Sequence, residues 1–179
     1  MTMNETRAPG LPERPLSGWI EGGRHVFPVR VYYEDTDAIG IVYHGNYLKW
    51  ADRARTEMMR LLGSEHSRLV AQTGVAFAVR RCSIEYDAPA RLDDVLEVHS
   101  RITDIGGASI GFEQIVRRAP EAGAEAGQGS DRAGARDLVR ISLTLFCLNH
   151  AGRPARLPPP VRAALAMLDM VDASAHRRD

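Results

Sequence analysis

One long amphipathic pattern in the first third of the chain most constrains how it can fold. Asn46 is its predicted N-cap and Gly63 its predicted C-terminal stop. No other long helical pattern precedes the C-terminus, so this helix is expected to cover one side of the core. The residues that share its inner face at helical spacing are Leu48, Ala51, Ala54, Arg55, Met58, Leu61 and Leu62.

Alternating apolar residues predict strands before and after this helix. The first strand starts near Val26, and a short second helix over residues 64–72, with a Ser N-cap, precedes the later strands. A change of phase near Arg80 and Arg81 predicts a β-bulge. Gly106 and Gly107 predict a hairpin turn. One long helix against several antiparallel strands predicts an α+β domain.

The 179 residues are predicted to form a single domain over residues 24–171. Residues 1–23 are rich in Pro, Gly and charge and predict a flexible N-terminal arm. Residues 119–136 are small and polar without periodicity, which predicts a flexible hairpin insert. Residues 172–179 are predicted to form a C-terminal tail.

Charge and cysteine content give information on the class of partner and on the location of the protein. Lys and Arg number 23, as do Asp and Glu, so the net charge is zero and gives no general attraction to nucleic acid or to a membrane. Cys82 and Cys147 are in phase with apolar strand residues and are predicted to be buried thiols. We find no signal-peptide pattern and no apolar run near about 20 residues, which predicts a soluble, cytoplasmic protein.

Asp37 and His44 flank the start of the long helix and are the candidate catalytic residues. Backbone N–H groups at a helix start favour negative charge, and a carboxylate beside such donors is equipped to attack an acyl carbonyl. Asp37 could instead form an Asx turn or cap the helix entry. His44 could be a donor, a substrate positioner or simply a polar residue. Asp35 is expected to face outward, and no histidine spacing predicts a metal or cofactor.

A second candidate nucleophile is Ser109, within the run Gly-Ala-Ser-Ile-Gly that matches the G-x-S-x-G pattern of hydrolases. Asp137 and His150 follow it in the order that some hydrolases use. That pattern requires a helix directly after the serine, whereas the residues after Ser109 alternate as in a strand. This candidate is therefore disfavoured.

The sequence around the helix start resembles a known family. Residues 33–55 contain Glu-Asp-Thr-Asp ending at Asp37, Gly-Ile-Val-Tyr-His ending at His44, and an Ala-Arg pair ending at Arg55. This run resembles the 4-hydroxybenzoyl-CoA thioesterase-like hot-dog proteins, especially the acyl-CoA thioesterases associated with the bacterial Tol-Pal envelope system. Over residues 26–161 the similarity otherwise lies in element order and strand pattern.

The resemblance implies a hot-dog fold, in which a five-stranded antiparallel sheet wraps around the long helix. It also implies a homo-oligomer, a dimer or tetramer that pairs sheet edge to sheet edge and carries its site at the interface. Asp37 matches the catalytic carboxylate of the family. The backbone N–H of His44 matches the group that polarises the thioester carbonyl, and Tyr43, Gly45 and Asn46 are expected to contact substrate.

The predicted function is hydrolysis of an acyl-CoA to the free acid and CoA without a cofactor. Arg80, Arg81, Arg117 and Arg118 are predicted to bind CoA phosphates, because Arg binds phosphate bidentately, but such arginines are also ordinary solubilising charges. Asp37 could activate water or attack directly. An alternative is a scaffold that binds acyl groups or acyl carrier protein in envelope lipid metabolism with little turnover. A hot-dog hydratase or dehydratase is a third hypothesis.

Overall fold

The computed structural model describes residues 15–63, 65–119 and 136–175. Its strands are β1 (Trp19–Glu21), β2 (Arg24–Arg30), β3 (Val75–Tyr86), β4 (Val95–Ile105), β5 (Ser109–Arg118) and β6 (Asp137–Asn149). Its helices are α1 (His44–Leu61), α2 (His66–Thr73) and α3 (Pro159–Ala175), and a 3-10 turn covers Tyr33–Asp35.

The predicted flexible segments lie largely outside the described residues. This holds for residues 1–14 of the N-terminal arm, for residues 120–135 of the predicted insert and for residues 176–179 of the tail. Residues 172–175 of the predicted tail belong instead to the last helix, which continues past the predicted end of the domain at residue 171. In the remainder of the chain, no helix combines the length and the apolar character needed to cross a membrane.

The strands form one antiparallel sheet in the order β1-β2-β4-β5-β6-β3. This is one strand more than predicted, because β1 lies in the segment expected to be a flexible arm. Gly22 and Gly23, with φ of 54° and 70°, join β1 to β2 in a two-residue hairpin. Positive φ at both central residues matches the twist of paired strands, so the arm prediction is wrong for this hairpin.

Helix α1 packs against β2, β4 and β5 and buries a face slightly rotated from the predicted one. Tyr47 and Trp50 occupy the core, whereas Leu48 and Leu61 are exposed, because the two large aromatic rings fill the space above the sheet. Gly63, with φ of 72°, follows the helix end as predicted. The buried residues of α1 are Asn46, Tyr47, Trp50, Ala51, Ala54, Arg55, Met58 and Met59.

The β half of the chain confirms the predicted bulge, which lies between Val79 and Arg81 of β3. Ser109 is the first residue of β5 and does not lie in a strand-to-helix turn, so it is not a hydrolase elbow.

Cys147 is buried, and this burial raises the pKa of its thiol. Cys82 is exposed, contrary to the prediction, because β3 is the last strand of the sheet and its side chains have a neighbouring strand on one side only.

Candidate active site

A tight turn around Asp37 leads from β2 to α1. The Asp37 N–H donates to the Ile41 carbonyl at 2.9 Å, and the Gly40 N–H donates to the Asp37 carbonyl at 3.0 Å. Gly40 has a φ of 74°, which suits glycine. Thr36 and Val42 form an antiparallel bridge at the base of this turn. Asp37 is therefore held beside the residues that directly precede the helix.

The Asp37 carboxylate is exposed and has one oxygen engaged. Its Oδ1 accepts a 3.0 Å hydrogen bond from the Ile39 N–H, which makes the Asx turn considered above. Its Oδ2 has no hydrogen-bond partner in the part of the chain that the structure describes. The two interpretations of Asp37 are thus compatible, because one oxygen orients the side chain while the other remains open for chemistry.

Hydrogen bonds of the Asn46 side chain connect the acidic turn, residues 33–37, to the first turn of α1. Its amide nitrogen donates to the Asp35 carbonyl at 3.0 Å, and Lys49 Nζ donates to its amide oxygen at 2.9 Å. The Asp35 carboxylate is half-buried and does not face outward as predicted. Its oxygens accept hydrogen bonds from the Tyr32 N–H at 2.9 Å and from the Asn46 amide nitrogen at 3.3 Å. Asn46 is 5% exposed and has partners on both amide atoms, so it holds the turn in place.

The helix starts at His44 with Tyr43 as its N-cap, which corrects the prediction of Asn46 for that position. The N–H groups of His44 and Gly45 have no acceptor among the described residues. A Cβ atom at Gly45 would lie 2.9 Å from the Tyr43 ring, so this glycine lets the ring pack over the helix start. The positive end of the helix dipole and these free donors together form a small anion-binding surface.

The His44 imidazole lies between two tyrosine rings. Its centroid is 4.4 Å from that of Tyr43 and 6.4 Å from that of Tyr86, which it meets edge to face. Neither imidazole nitrogen has a hydrogen-bond partner within the described ranges. These two ring contacts orient the imidazole.

A cleft of about 280 Å³ opens beside the helix start. The Tyr47 hydroxyl accepts a 2.9 Å hydrogen bond from the Ala90 N–H and so fixes the loop after β3 that forms one wall. Asp37 is not a lining residue, but its turn adjoins the cleft through Ile41. The lining residues are Ile41, Val42, His44, Tyr47, Tyr86, Asp87, Ala88 and Pro89.

The arginines predicted to bind phosphate do not converge on this cleft. The Arg80 guanidinium lies 4.5 Å from the centre of the Phe146 ring. Phe146 alternates with the core residue Cys147, so this contact is on the sheet face opposite α1. Arg81 lines a separate surface cleft on that face.

Arg117 and Arg118 each have a carboxylate partner. Arg117 binds Asp137 at 2.6 Å, and Arg118 binds Asp94 at 2.9 Å. Within one chain none of the four arginines lines the cleft, and the structure gives no support to their phosphate role. Among the described residues, no three His, Cys, Asp or Glu side chains are placed to hold a metal ion.

Comparison with known proteins identifies the family. Residues 39–124 match the profile of the Thioesterase superfamily. The acyl-CoA thioesterase YbgC of Haemophilus influenzae is 48% identical over 92 residues, which are 51% of this chain and 68% of that protein. The chain belongs to the thioesterase superfamily. The acyl-CoA thioester hydrolase YbgC of Escherichia coli is 52% identical over 90 residues, which are 50% of this chain and 66% of that protein.

Solved structures agree with this thioesterase assignment. A probable thioesterase from Bartonella henselae superposes with a TM-score of 0.62 at 31% identity, over 75% of this chain and 99% of that chain. A 4-hydroxybenzoyl-CoA thioesterase bound to 4-hydroxybenzoyl-CoA superposes with a TM-score of 0.68 at 19% identity, over 79% of this chain and 98% of that chain. The second likeness concerns the fold alone. The predicted hot-dog fold is confirmed, with six strands in place of five.

Proposed function

We propose that this member of the thioesterase superfamily hydrolyses the thioester bond of an acyl-CoA to a free acid and CoA. One observation carries the proposal. Within the described ranges, Asp37 has one carboxylate oxygen without a hydrogen-bond partner, and it adjoins a helix start where the N–H groups of His44 and Gly45 lack acceptors. The names of the YbgC relatives support the substrate class.

In this mechanism the thioester carbonyl oxygen accepts hydrogen bonds from the N–H groups of His44 and Gly45. These donors stabilise the negative charge that develops on that oxygen when the carbonyl carbon is attacked. Asp37 Oδ2 either removes a proton from the attacking water or attacks the carbon itself. The second route forms a mixed anhydride. In the first route the proton that Asp37 takes from water can pass to the sulfur as the C–S bond breaks. In the second route CoA leaves as a thiolate that takes its proton from solvent, and water then hydrolyses the anhydride.

Replacement of the Asp37 carboxylate tests the proposal. Asp37→Asn keeps the side-chain shape and removes the base or nucleophile, so turnover should fall by about 10²–10⁴-fold while the melting temperature is kept. Glu34→Gln is the matched control, because it neutralises an exposed carboxylate in the same acidic run and should keep wild-type turnover.

The assay should use a panel of acyl-CoA substrates of different chain length and aromatic character. An active Asp37→Asn variant would refute the assigned chemistry. A wild-type protein that binds acyl-CoA but hydrolyses none of the panel would favour the scaffold function.

We further propose that the protein is a dimer or tetramer built by pairing of β3 edges. Among the described strands β3 pairs only with β6, and its 12 residues leave Val79 and Tyr86 exposed. An open edge of this length is a ready site for pairing with a second copy, which would also cover the exposed turn of Asp37. Sedimentation at micromolar concentration should give a multiple of the monomer mass. A fully active monomer would contradict this arrangement.

The substrate class suggests the location and a further partner. We propose a cytoplasmic enzyme with a link to the Tol-Pal envelope system. Both proposals rest on the sequence features and the resemblance described above. Acyl carrier protein presents its acyl group through the same kind of thioester and is proposed as a second acyl donor. Turnover of acyl-CoA and of acyl carrier protein loaded with the same acyl group should be compared directly.

A further inference from the structure

Tyr86, the last residue of β3, bonds to the helix start although it is far from it in sequence. Its hydroxyl donates to the His44 carbonyl at 3.2 Å. Its ring meets the His44 ring edge to face at 6.4 Å and the Tyr47 ring at 5.9 Å. Because Tyr47 is buried in the core, these ring contacts hold the Tyr86 phenol in position over the first turn of α1.

The group that Tyr86 contacts is one end of a peptide unit whose other end faces the proposed site. The His44 carbonyl and the Gly45 N–H belong to the same planar amide. In an α-helix the carbonyl points toward the C-terminus and the N–H toward the N-terminus. A hydrogen bond to the carbonyl polarises the amide and strengthens its N–H as a donor. The Gly45 N–H has no acceptor of its own in the described part of the chain.

We propose that Tyr86 is a positioning residue for thioester hydrolysis, which orients and polarises the His44–Gly45 amide so that the Gly45 N–H stabilises the oxyanion. The inference rests on the proposed function. The hydroxyl must stay protonated to play this part. Partial burial is the main cause that raises the pKa of Tyr86 above its ordinary value, so the phenol keeps its proton at neutral pH.

Tyr86→Phe removes the hydroxyl and keeps the ring. We expect kcat to fall roughly tenfold, less than the about 10²–10³-fold that loss of an oxyanion donor itself costs. KM should stay unchanged, because the hydrogen bond matters only when charge develops on the substrate oxygen. Ser142→Ala is the control: Ser142 is exposed on the sheet face opposite α1, and removal of its hydroxyl should leave kcat and stability as in the wild type.

Fluorinated tyrosines placed at position 86 separate polarisation from a merely structural role. They have nearly the same shape but a more acidic, stronger donor hydroxyl. Assayed below the pKa of each fluorinated phenol, they should raise kcat in order of donor strength while the melting temperature stays constant. A kcat that does not change with donor strength across these variants would overturn the inference, even if Tyr86→Phe itself folded poorly.

The outcome with Asp37→Asn distinguishes failure of this inference from failure of the proposed function. If wild type is active, Asp37→Asn is inactive and Tyr86→Phe equals wild type, the role of Tyr86 is refuted and the proposed function stands. If Asp37→Asn equals wild type, the role of Asp37 is refuted while the role of Tyr86 is still decided by its own variants. If no acyl-CoA is hydrolysed, the proposed function and the role of Tyr86 are both refuted.

Discussion

A guanidinium nitrogen of Arg55 lies 2.6 Å from the side-chain oxygen of Gln114, a residue of β5 that is fully buried. The Gln114 amide nitrogen in turn donates to the Ala51 carbonyl at 3.0 Å and to the Ser100 hydroxyl at 2.8 Å. A second nitrogen of Arg55 binds Asp52 at 2.7 Å. Helix α1 is therefore attached to the sheet by a buried polar network, where each partner satisfies the other.

Loss of Gln114 should destabilise the fold. Gln114→Leu leaves a buried Arg55 nitrogen without its acceptor, and we expect the free energy of unfolding to fall by about 1.5–3 kcal/mol. Urea denaturation measures this change. Arg55→Met combined with Gln114→Leu replaces both partners by apolar groups and should recover part of the loss. Two strictly additive losses would show that the two side chains are not energetically coupled.

Removal of the Asn46 amide should loosen the turn that carries Asp37. Asn46→Ala removes the hydrogen bond to the Asp35 carbonyl, so we expect a loss of about 1–2 kcal/mol in the free energy of unfolding and a lower kcat. Lys49→Met is the control, because it removes only the contact to the Asn46 oxygen. An unchanged kcat in Asn46→Ala would mean that Asp37 is positioned without this hydrogen bond.

The His44 side chain should matter less than its backbone. His44→Ala keeps the N–H that is assigned to the oxyanion, so it should reduce turnover clearly less than Asp37→Asn does. Ser109→Ala should leave turnover unchanged, because Ser109 begins a strand and is no elbow. Acyl-CoA turnover of the three variants, with circular dichroism as the folding check, gives the order. Equal losses in His44→Ala and Asp37→Asn would assign the imidazole a catalytic role.

Buried His25 should make the fold less stable in mild acid. One ring nitrogen lies 2.7 Å from the Ser17 carbonyl, and the other has no hydrogen-bond partner among the residues that the structure describes. Burial is the main cause that lowers the pKa of His25 below 6.5, and the nearby Glu57 carboxylate opposes it. The unfolded chain therefore takes up this proton at a higher pH than the folded chain. The contribution of neutral His25 to the free energy of unfolding is fully present above pH 6.5, the pKa in the unfolded chain. It is lost as the pH falls toward the lower pKa of His25 in the folded chain.

A His25→Gln variant keeps a donor for the Ser17 carbonyl and cannot titrate in this range. The free energy of unfolding of wild type should fall between about pH 7 and about pH 5, with a shallower fall in the variant. Urea midpoints at several pH values measure both slopes. Parallel curves for the two proteins would show that His25 does not cause the acid sensitivity.

Local patterns in the sequence predicted most elements because short-range backbone geometry determines them. The β3 bulge and the hairpin at Gly106 followed from alternation and turn chemistry. Strand β1 was missed although a signal was available. Gly22 and Gly23 form a pair typical of a tight hairpin, and only the Pro-rich, charged residues around them suggested a loose arm.

The sequence by itself predicted an α+β domain from its periodicity, and its resemblance implied the hot-dog fold. It also placed Asp37 close to the start of α1, because a few residues linked by local backbone hydrogen bonds form that turn. Only the tertiary structure brought Tyr86 to the His44 carbonyl, 42 positions away, and left Cys82 exposed at the sheet edge. Periodicity reports which face a side chain shares with its neighbours in sequence. It does not report which strand ends at the edge or which distant group lies opposite, because long-range pairing of β-strands decides both.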